Sequence, residues 1–334
     1  MEQEIIKVGI AGFTGYTGLE LLRILSKHPN VKIASLSSST HYDKHLQDVL
    51  EFCPLENIKI TKELQDIDVA FLALPHEASL EQVPFYASKN IKVIDLSGAF
   101  RLKDNEIFKE YYNLEYKKEH ETLLDSVVYG LPELFRQKIK NAQVVSNPGC
   151  YPTAVMLGVL PILKKTNYKK PIYVNAISGV SGAGAKLKQE FHFPYMEQNA
   201  FYYSIGKHRH TPEMSLYLGV EVNFSPMVIP ASRGMIANIK LFDIEELDFK
   251  SIYEDFYQTE SFVKLVDKPP HTKWVVGTNM CYIYIHYHKS LKTLEVISAI
   301  DNLGKGASSQ AVQNMNIMFG LEEALGLDKF PLIP

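Results

Sequence analysis

Gly12-Phe13-Thr14-Gly15-Tyr16-Thr17-Gly18 decides how the first half of this chain is read. It follows the apolar run Ile5 to Ile10, which reads as a strand. It precedes an amphipathic stretch expected to be helical over Thr17 to Lys27. Its glycines recur at every third position. Glycine permits a tight turn and lets the backbone approach a phosphate held at a helix N-terminus. An ordinary tight turn also contains glycines. Between a strand and a helix, however, the run reads as a variant of the dinucleotide fingerprint, with Gly12, Thr14, Gly15, Tyr16, Thr17 and Gly18 as cofactor contacts. Working outward, Val31 to Leu36, Asp68 to Leu74, Lys92 to Leu96 and Gln143 to Ser146 are further apolar strands with helical stretches between them. This alternation predicts an α/β fold with a Rossmann-like, doubly wound parallel sheet, whose ligand lies beyond the carboxyl ends of the strands.

The end of the second strand bears on which dinucleotide binds. NAD sites usually place an acid ~20 residues after the glycines, on the ribose hydroxyls. Here the stretch is Ser35-Leu36-Ser37-Ser38-Ser39-Thr40, without an acid. Ser37, Ser38, Ser39 and the neighbouring N–H groups suit a 2′-phosphate, which a carboxylate would repel, so NADP is the expected cofactor. No arginine is nearby, and the alternative is a polar loop that reads nothing.

The last strand of this half delivers Ser146-Asn147-Pro148-Gly149-Cys150-Tyr151-Pro152-Thr153. A helix is expected over Thr153 to Lys164, with Pro152 suited to its first turn. A thiol at that seam sees unpaired N–H groups and the positive end of the helix, and both favour thiolate, the nucleophilic form. Taken alone, Cys150 is equally readable as a buried structural cysteine. Lys207-His208-Arg209-His210-Thr211-Pro212-Glu213-Met214 puts two histidines at another helix start, where an imidazole can move protons for a thiolate. Ser178-Gly179-Val180-Ser181-Gly182-Ala183-Gly184 is a second glycine-serine loop, either a hinge or an anion or cofactor contact. Arg101 and Arg233 each follow an apolar run and suit either a carboxylate or phosphate clamp or a surface ion pair.

Beyond Gly149 the pattern changes. Ile172 to Ile177 and Met235 to Phe242 read as strands and Leu247 to Gln258 as a helix. Cys281 to His288 and Thr293 to Ile300, joined by Lys289 to Lys292, read as an antiparallel hairpin. Gly304 to Phe319 reads as a closing helix that packs back on the first domain. The expected organisation is a cofactor domain over residues 1–148 plus about 304–334, and an α+β catalytic, substrate and dimerisation domain over 149–303. With 334 residues, 46% of them hydrophobic, the chain can build full cores without staples. Three scattered cysteines are no disulfide framework, and they suit a reducing cytoplasm. A net charge of -3 gives no basic excess for nucleic acid. No signal peptide, membrane span or metal site is expected.

Taken together, these stretches resemble the semialdehyde dehydrogenase family. The likeness runs through Gly12 to Gly18, Asp95-Leu96-Ser97 with Phe100-Arg101-Leu102, and Tyr129-Gly130-Leu131-Pro132-Glu133-Leu134. It continues through Asn147 to Thr153, Ser178 to Gly184, His208 to Met214 and Asp301 to Phe319. The Asn-Pro-Gly-Cys-Tyr-Pro-Thr and Tyr-Gly-Leu-Pro-Glu runs resemble the branch that reduces N-acetyl-L-glutamyl 5-phosphate to the semialdehyde with NADPH, releasing phosphate, in arginine biosynthesis. The resemblance implies Cys150 as nucleophile and His208 as acid/base. It implies cofactor contacts from Ser181, Gly182, Asn302 and Lys305, and substrate contacts from Arg101, Asn147, His210, Ser178 and Lys186. It implies a homodimer or homotetramer acting on a small acyl phosphate. The alternatives are an aspartyl-phosphate or N-succinyl or aminoadipyl phosphate reductase and, in another class, a non-catalytic NADP sensor. Two departures stand out: Leu96-Ser97-Gly98-Ala99-Phe100-Arg101 lacks an aspartate usual at Ala99, and Ala185-Lys186 replaces an Arg-Lys pair.

Overall fold

The computed structural model describes residues 5–333. They form two compact units. The first comprises residues 5–105, 114–148 and 307–327, and the second residues 106–113, 149–306 and 328–333.

The first unit is built on seven strands: β1 (Ile6–Ala11), β2 (Val31–Ser37), β3 (Ile60–Thr61), β4 (Val69–Leu72), β5 (Lys92–Asp95), β6 (Val128–Tyr129) and β7 (Val144–Ser146). Their order is β3-β2-β1-β4-β5-β7-β6, and every neighbouring pair is parallel. Strands covered on both faces are continuously apolar, and β4 is buried along its whole length. The order reverses at β1, which has β2 on one side and β4 on the other. Its carboxyl end is therefore the switch point where such sheets bind ligands, and the Gly12–Gly18 turn leaves from there. The following helix, Tyr16–Leu25, buries Leu21, Leu22, Ile24 and Leu25 in the same core as Val8 and Ile10. Each such side chain contributes about 1.5–3 kcal/mol by leaving water. The closing helix, Ser309–Met318, joins this core through Ala311, Val312 and Met315. One uniform helix was expected from Gly304; instead a π-helical turn covers Gly304–Ser308, a local widening common near functional sites.

The second unit carries a mixed sheet of β8 (Ile172–Gly179), β9 (Phe201–Tyr202), β10 (Val222–Ile229), β11 (Met235–Leu241), β12 (Val263–Leu265), β13 (Cys281–His288) and β14 (Thr293–Ile300), in the order β12-β13-β14-β11-β8-β10-β9. The expected hairpin is β13–β14, antiparallel in unbroken register from Cys281 opposite Ile300 to His288 opposite Thr293. Strand β10 is absent from the sequence reading because Pro226 sits in its middle. It is tolerated there because β9 pairs with only Met227 and Val228, leaving most of that edge open.

The helix after Gly149 starts earlier than expected, at Cys150, and runs to Lys165. Pro152 falls within the first four residues, whose N–H groups have no helical acceptor in any case. Pro161 lies inside the helix, where it deprives the Leu157 carbonyl of a donor. The Tyr257 hydroxyl donates to that carbonyl instead, and the Tyr253 hydroxyl donates to Gly158 O at 2.6 Å. Among the described residues, no helix is long and apolar enough to cross a membrane.

Candidate active site

In the first unit, the Gly12–Gly18 turn has the shape of a phosphate cradle. Gly12 has φ +77°, and a Cβ there would lie 2.3 Å from Ala73 O. At Gly18 a Cβ would lie 2.4 Å from Gly12 O. Side chains would fill the space that keeps the turn tight. Gly15 caps the Tyr16–Leu25 helix, and no acid lies in its first turn, so the amides there meet an anion without a competing carboxylate. The residues present therefore fit a dinucleotide pyrophosphate. Ser37 is buried at the end of β2, and Ser39 and Thr40 are exposed beyond it. The Ser38 hydroxyl oxygen accepts from Thr40 N–H and His41 N–H at 3.3 and 3.2 Å, which folds the loop into a turn. Thr40 Oγ1 lies 3.3 Å from the Ser38 hydroxyl, and Ser39 is exposed between them.

Arg101 and Asn147 also lie in this unit, and both are engaged internally. Arg101 is buried; its Nε donates to Asn147 O at 2.8 Å and its Nη2 to Leu96 O at 2.9 Å. Asn147 Nδ2 donates to Ala307 O at 3.1 Å, and its Oδ1 accepts from Asn314 Nδ2 at 3.0 Å. These bonds fix the orientation of both side chains. The departure at Ala99 is accommodated within the fold: Ala99 is fully buried, and its carbonyl accepts from the Tyr116 hydroxyl at 2.8 Å.

In the second unit, Gly149 is the hub. It caps the Cys150–Lys165 helix, and its carbonyl accepts from Thr153 N–H at 3.0 Å and Thr153 Oγ1 at 3.1 Å. Its N–H donates to Glu213 Oε1 at 2.9 Å. The His210 imidazole packs on its Cα so closely that a Cβ would lie 2.4 Å from Nε2; only glycine fits before Cys150. Cys150 itself is half-buried at the first helical position.

Aromatic rings surround this turn. Tyr151 meets His208, His210 and Phe224 edge-on at centroid distances of 5.5, 6.0 and 4.9 Å. His208 lies 4.8 Å from His210 and 5.5 Å from Tyr203. The Tyr151 and Tyr203 hydroxyls are 3.0 Å apart. Burial pushes the Tyr203 hydroxyl up to about 12 and raises that of Tyr151 further, so both remain protonated. Burial, reinforced by the adjacent Arg209 charge, brings His208 down to about 4. At neutral pH His208 is therefore uncharged. Its Nδ1 lies 3.1 Å from the His210 backbone N–H and accepts from it, so its own proton resides on Nε2.

Of the remaining expected residues, Ser178 hydrogen-bonds the Tyr151 hydroxyl, and Gly306, next to Lys305, lies so close to Cys150 that a Cβ there would be 2.8 Å from Cys150 Cβ. Asn302 accepts from Gly234 N–H at 2.8 Å and donates to Ser181 Oγ at 2.8 Å. Both of its polar atoms thus brace the second glycine loop. Gly182 and Lys186 are exposed on that loop, while Ser178 is buried beneath it. Lys305 is fully buried, with Nζ 5.8 Å from the Phe262 ring centre. Arg233 pairs with the buried Asp301 at 2.8 Å, an internal rather than a surface ion pair. Among the described residues, no group of three His, Cys, Asp or Glu is arranged to hold a metal ion.

The sequence reading did not single out Glu213, Tyr151 or Tyr203 as site residues. Glu213 had a visible signal, since it lies three residues after His210 and so on the same helical face. Tyr203 had none; its partner is 52 residues away.

In comparison with known proteins, residues 7–142 match the family described as "Semialdehyde dehydrogenase, NAD binding domain", and residues 150–302 match "Semialdehyde dehydrogenase, dimerisation domain". A relative from Aquifex aeolicus named N-acetyl-gamma-glutamyl-phosphate reductase is 48% identical, over 99% of this chain and 100% of its own length. One of the same name from a Thermoanaerobacter species is 44% identical over the same shares. Among solved structures, aspartate semialdehyde dehydrogenase II from Vibrio cholerae superposes with a TM-score of 0.73 at 17% identity, covering 94% of this chain and 98% of that one. The Candida albicans enzyme solved with NADP gives 0.73 at 13% identity, over the same shares. At those identities the likeness is one of fold.

Proposed function

This chain belongs to the semialdehyde dehydrogenase family, in the group of N-acetyl-gamma-glutamyl-phosphate reductases, and on that premise we propose that it reduces N-acetyl-L-glutamyl 5-phosphate to the 5-semialdehyde with release of phosphate, a step of arginine biosynthesis. The observation that carries the reading is Cys150 at the first position of a helix, on a turn clamped by His210 and flanked by His208. A structural cysteine has no need of such a setting.

The Cys150 thiolate attacks the acyl carbon, the C–O bond to phosphate breaks, and a thioester remains. Helix-start amides face the developing oxyanion. The cofactor held by the Gly12–Gly18 turn supplies a hydride to the acyl group when bound. His208, neutral and protonated on Nε2, gives its proton to the oxygen as the thiohemiacetal forms, and the negative charge then resides on its ring, beside the Arg209 cation. It regains that proton when the C–S bond breaks and the semialdehyde leaves, so Cys150 and His208 end as they began. His210 holds the turn and orients the substrate. Cys53 is half-buried and Cys281 fully buried, and neither lies at a helix start, so limiting iodoacetamide labels Cys150 first.

The cofactor is NADP. The reading rests on the absence of an acid after β2 and on the hydroxyls of Ser37 to Thr40. A 2′-phosphate gains charge-assisted bonds there, so NADPH is expected to bind about tenfold or more tightly than NADH. Fluorescence titration of both decides it, and equal affinities would contradict it. The protein works in the cytoplasm as a homo-oligomer, a dimer or tetramer built through the second unit.

Reverse turnover tests the reaction. With phosphate and NADP⁺, N-acetylglutamate semialdehyde should yield NADPH about tenfold or more faster than aspartate semialdehyde or the N-succinyl analogue, a margin within reach of one misplaced polar group. Faster turnover of either competitor would overturn the substrate assignment.

A further inference from the structure

We infer that Glu213 is a positioning residue for the nucleophile, acting through its hydrogen bond to Gly149 rather than through its charge. The inference rests on the reading of Cys150 as nucleophile and adds what aims it. Glu213 is fully buried, and its Oε1 accepts from Gly149 N–H at 2.9 Å. Burying a carboxylate is expensive unless it is well bonded, so a chain that keeps one beside its nucleophile has a use for it.

The geometry indicates that use. Gly149 immediately precedes Cys150, and the torsions about Gly149 set where Sγ points. Its carbonyl is fixed by two bonds from Thr153. Its Cα is covered by the His210 imidazole. Its N–H would otherwise point away from the helix with no intrahelical acceptor, and Glu213 takes it. His210 and Glu213 are three residues apart on the helix His210–Leu218, so one helical face grips the turn at two atoms and restrains the peptide unit before Cys150. The same helix begins beside His208, whose Nδ1 is held by the His210 N–H. The proton donor and the thiol are therefore referenced to one rigid element, which is what a well-oriented reaction requires.

Two variants separate reach from charge. Glu213→Gln keeps the length and an acceptor oxygen but loses the charge. Glu213→Asp keeps the charge but withdraws the oxygen by one methylene. Both are assayed for kcat, for KM of NADPH, and for the rate of Cys150 alkylation by iodoacetamide, which needs neither substrate nor cofactor. Glu213→Gln should stay within about threefold of the native protein in kcat and alkylation rate. Glu213→Asp should lose about tenfold or more in kcat, with an altered alkylation rate and an unchanged KM for NADPH, as expected when an interaction serves the transition state and not binding. Native behaviour of Glu213→Asp overturns the proposal, as does a Glu213→Gln variant as impaired as Glu213→Asp. Failure of the nucleophile reading shows elsewhere, as turnover retained by Cys150→Ser.

Discussion

Cys150→Ser is expected to lower kcat by about 10⁴-fold or more, a loss of the size seen when other enzymes lose a nucleophile, while NADPH binding stays within about twofold. The hydroxyl is a far weaker nucleophile than the thiolate at neutral pH. The substitution is slightly smaller than the native residue and leaves the Gly149 turn and its bonds to Thr153 and Glu213 in place, so the loss reports chemistry and not folding. The cofactor turn is made by residues of the first unit alone, which is why its affinity should be untouched. Steady-state turnover and fluorescence titration check both halves. Turnover within tenfold of the native protein would remove Cys150 from the mechanism.

His208→Asn should lower kcat by about 10²–10⁴-fold, the usual worth of a positioned proton donor, with KM changed by less than about threefold. His210→Asn should instead act mainly on KM, because it removes a contact made equally in ground and transition states. The opposite pattern would exchange the two roles. Effects below threefold on both constants in both variants would move the proton carrier elsewhere.

The titration of His208 supplies a second check. Its folded value of about 4 lies below the ordinary histidine value of 6.5. Above pH 6.5 it is neutral in folded and unfolded chains alike and adds no pH dependence. Between 6.5 and 4 the unfolded chain takes up a proton that the folded one refuses, so stability falls as pH falls. His28 and His120, also lowered by burial, contribute in the same direction. Melting temperature against pH should therefore be flatter below pH 6.5 in His208→Asn than in the native protein, and an unchanged slope would contradict the burial-driven shift. By the same argument, the pH profile of kcat/KM should carry no limb near 6.5 from His208.

Much of the first unit was legible because its signals are local. A strand, a glycine at each third position and an amphipathic helix follow one another within about twenty residues, and parallel strands announce themselves as apolar runs. The second unit was less so. The β13–β14 hairpin could be read because its strands alternate with period two and adjoin in sequence. β10 was hidden by Pro226, and the early helix start at Cys150 by the assumption that Pro152 marks a first turn. The site was legible in its chemistry and not in its bracing. Cys150 and the two histidines are reactive types at helix starts. The Glu213–Gly149 bond joins residues 64 apart in sequence, and the Asn147–Asn314 bond joins residues 167 apart. No periodicity encodes such partners. Arg101 was read as a clamp because it follows an apolar run, and Asn147 and Asn302 as ligand contacts from the family resemblance; the bonds their side chains make to backbone and to other side chains join residues distant in sequence and had no local signal.

The most direct test of the account is to trap the acyl-enzyme. Native protein is mixed with N-acetyl-L-glutamyl 5-phosphate in the absence of NADPH, quenched in acid, digested and examined by mass spectrometry. The account predicts that the peptide containing Cys150 gains the N-acetylglutamyl group, that hydroxylamine removes it, and that adding NADPH before the quench abolishes it with release of semialdehyde. No adduct under conditions of full turnover, or an adduct on Cys53 or Cys281 in place of Cys150, would contradict it.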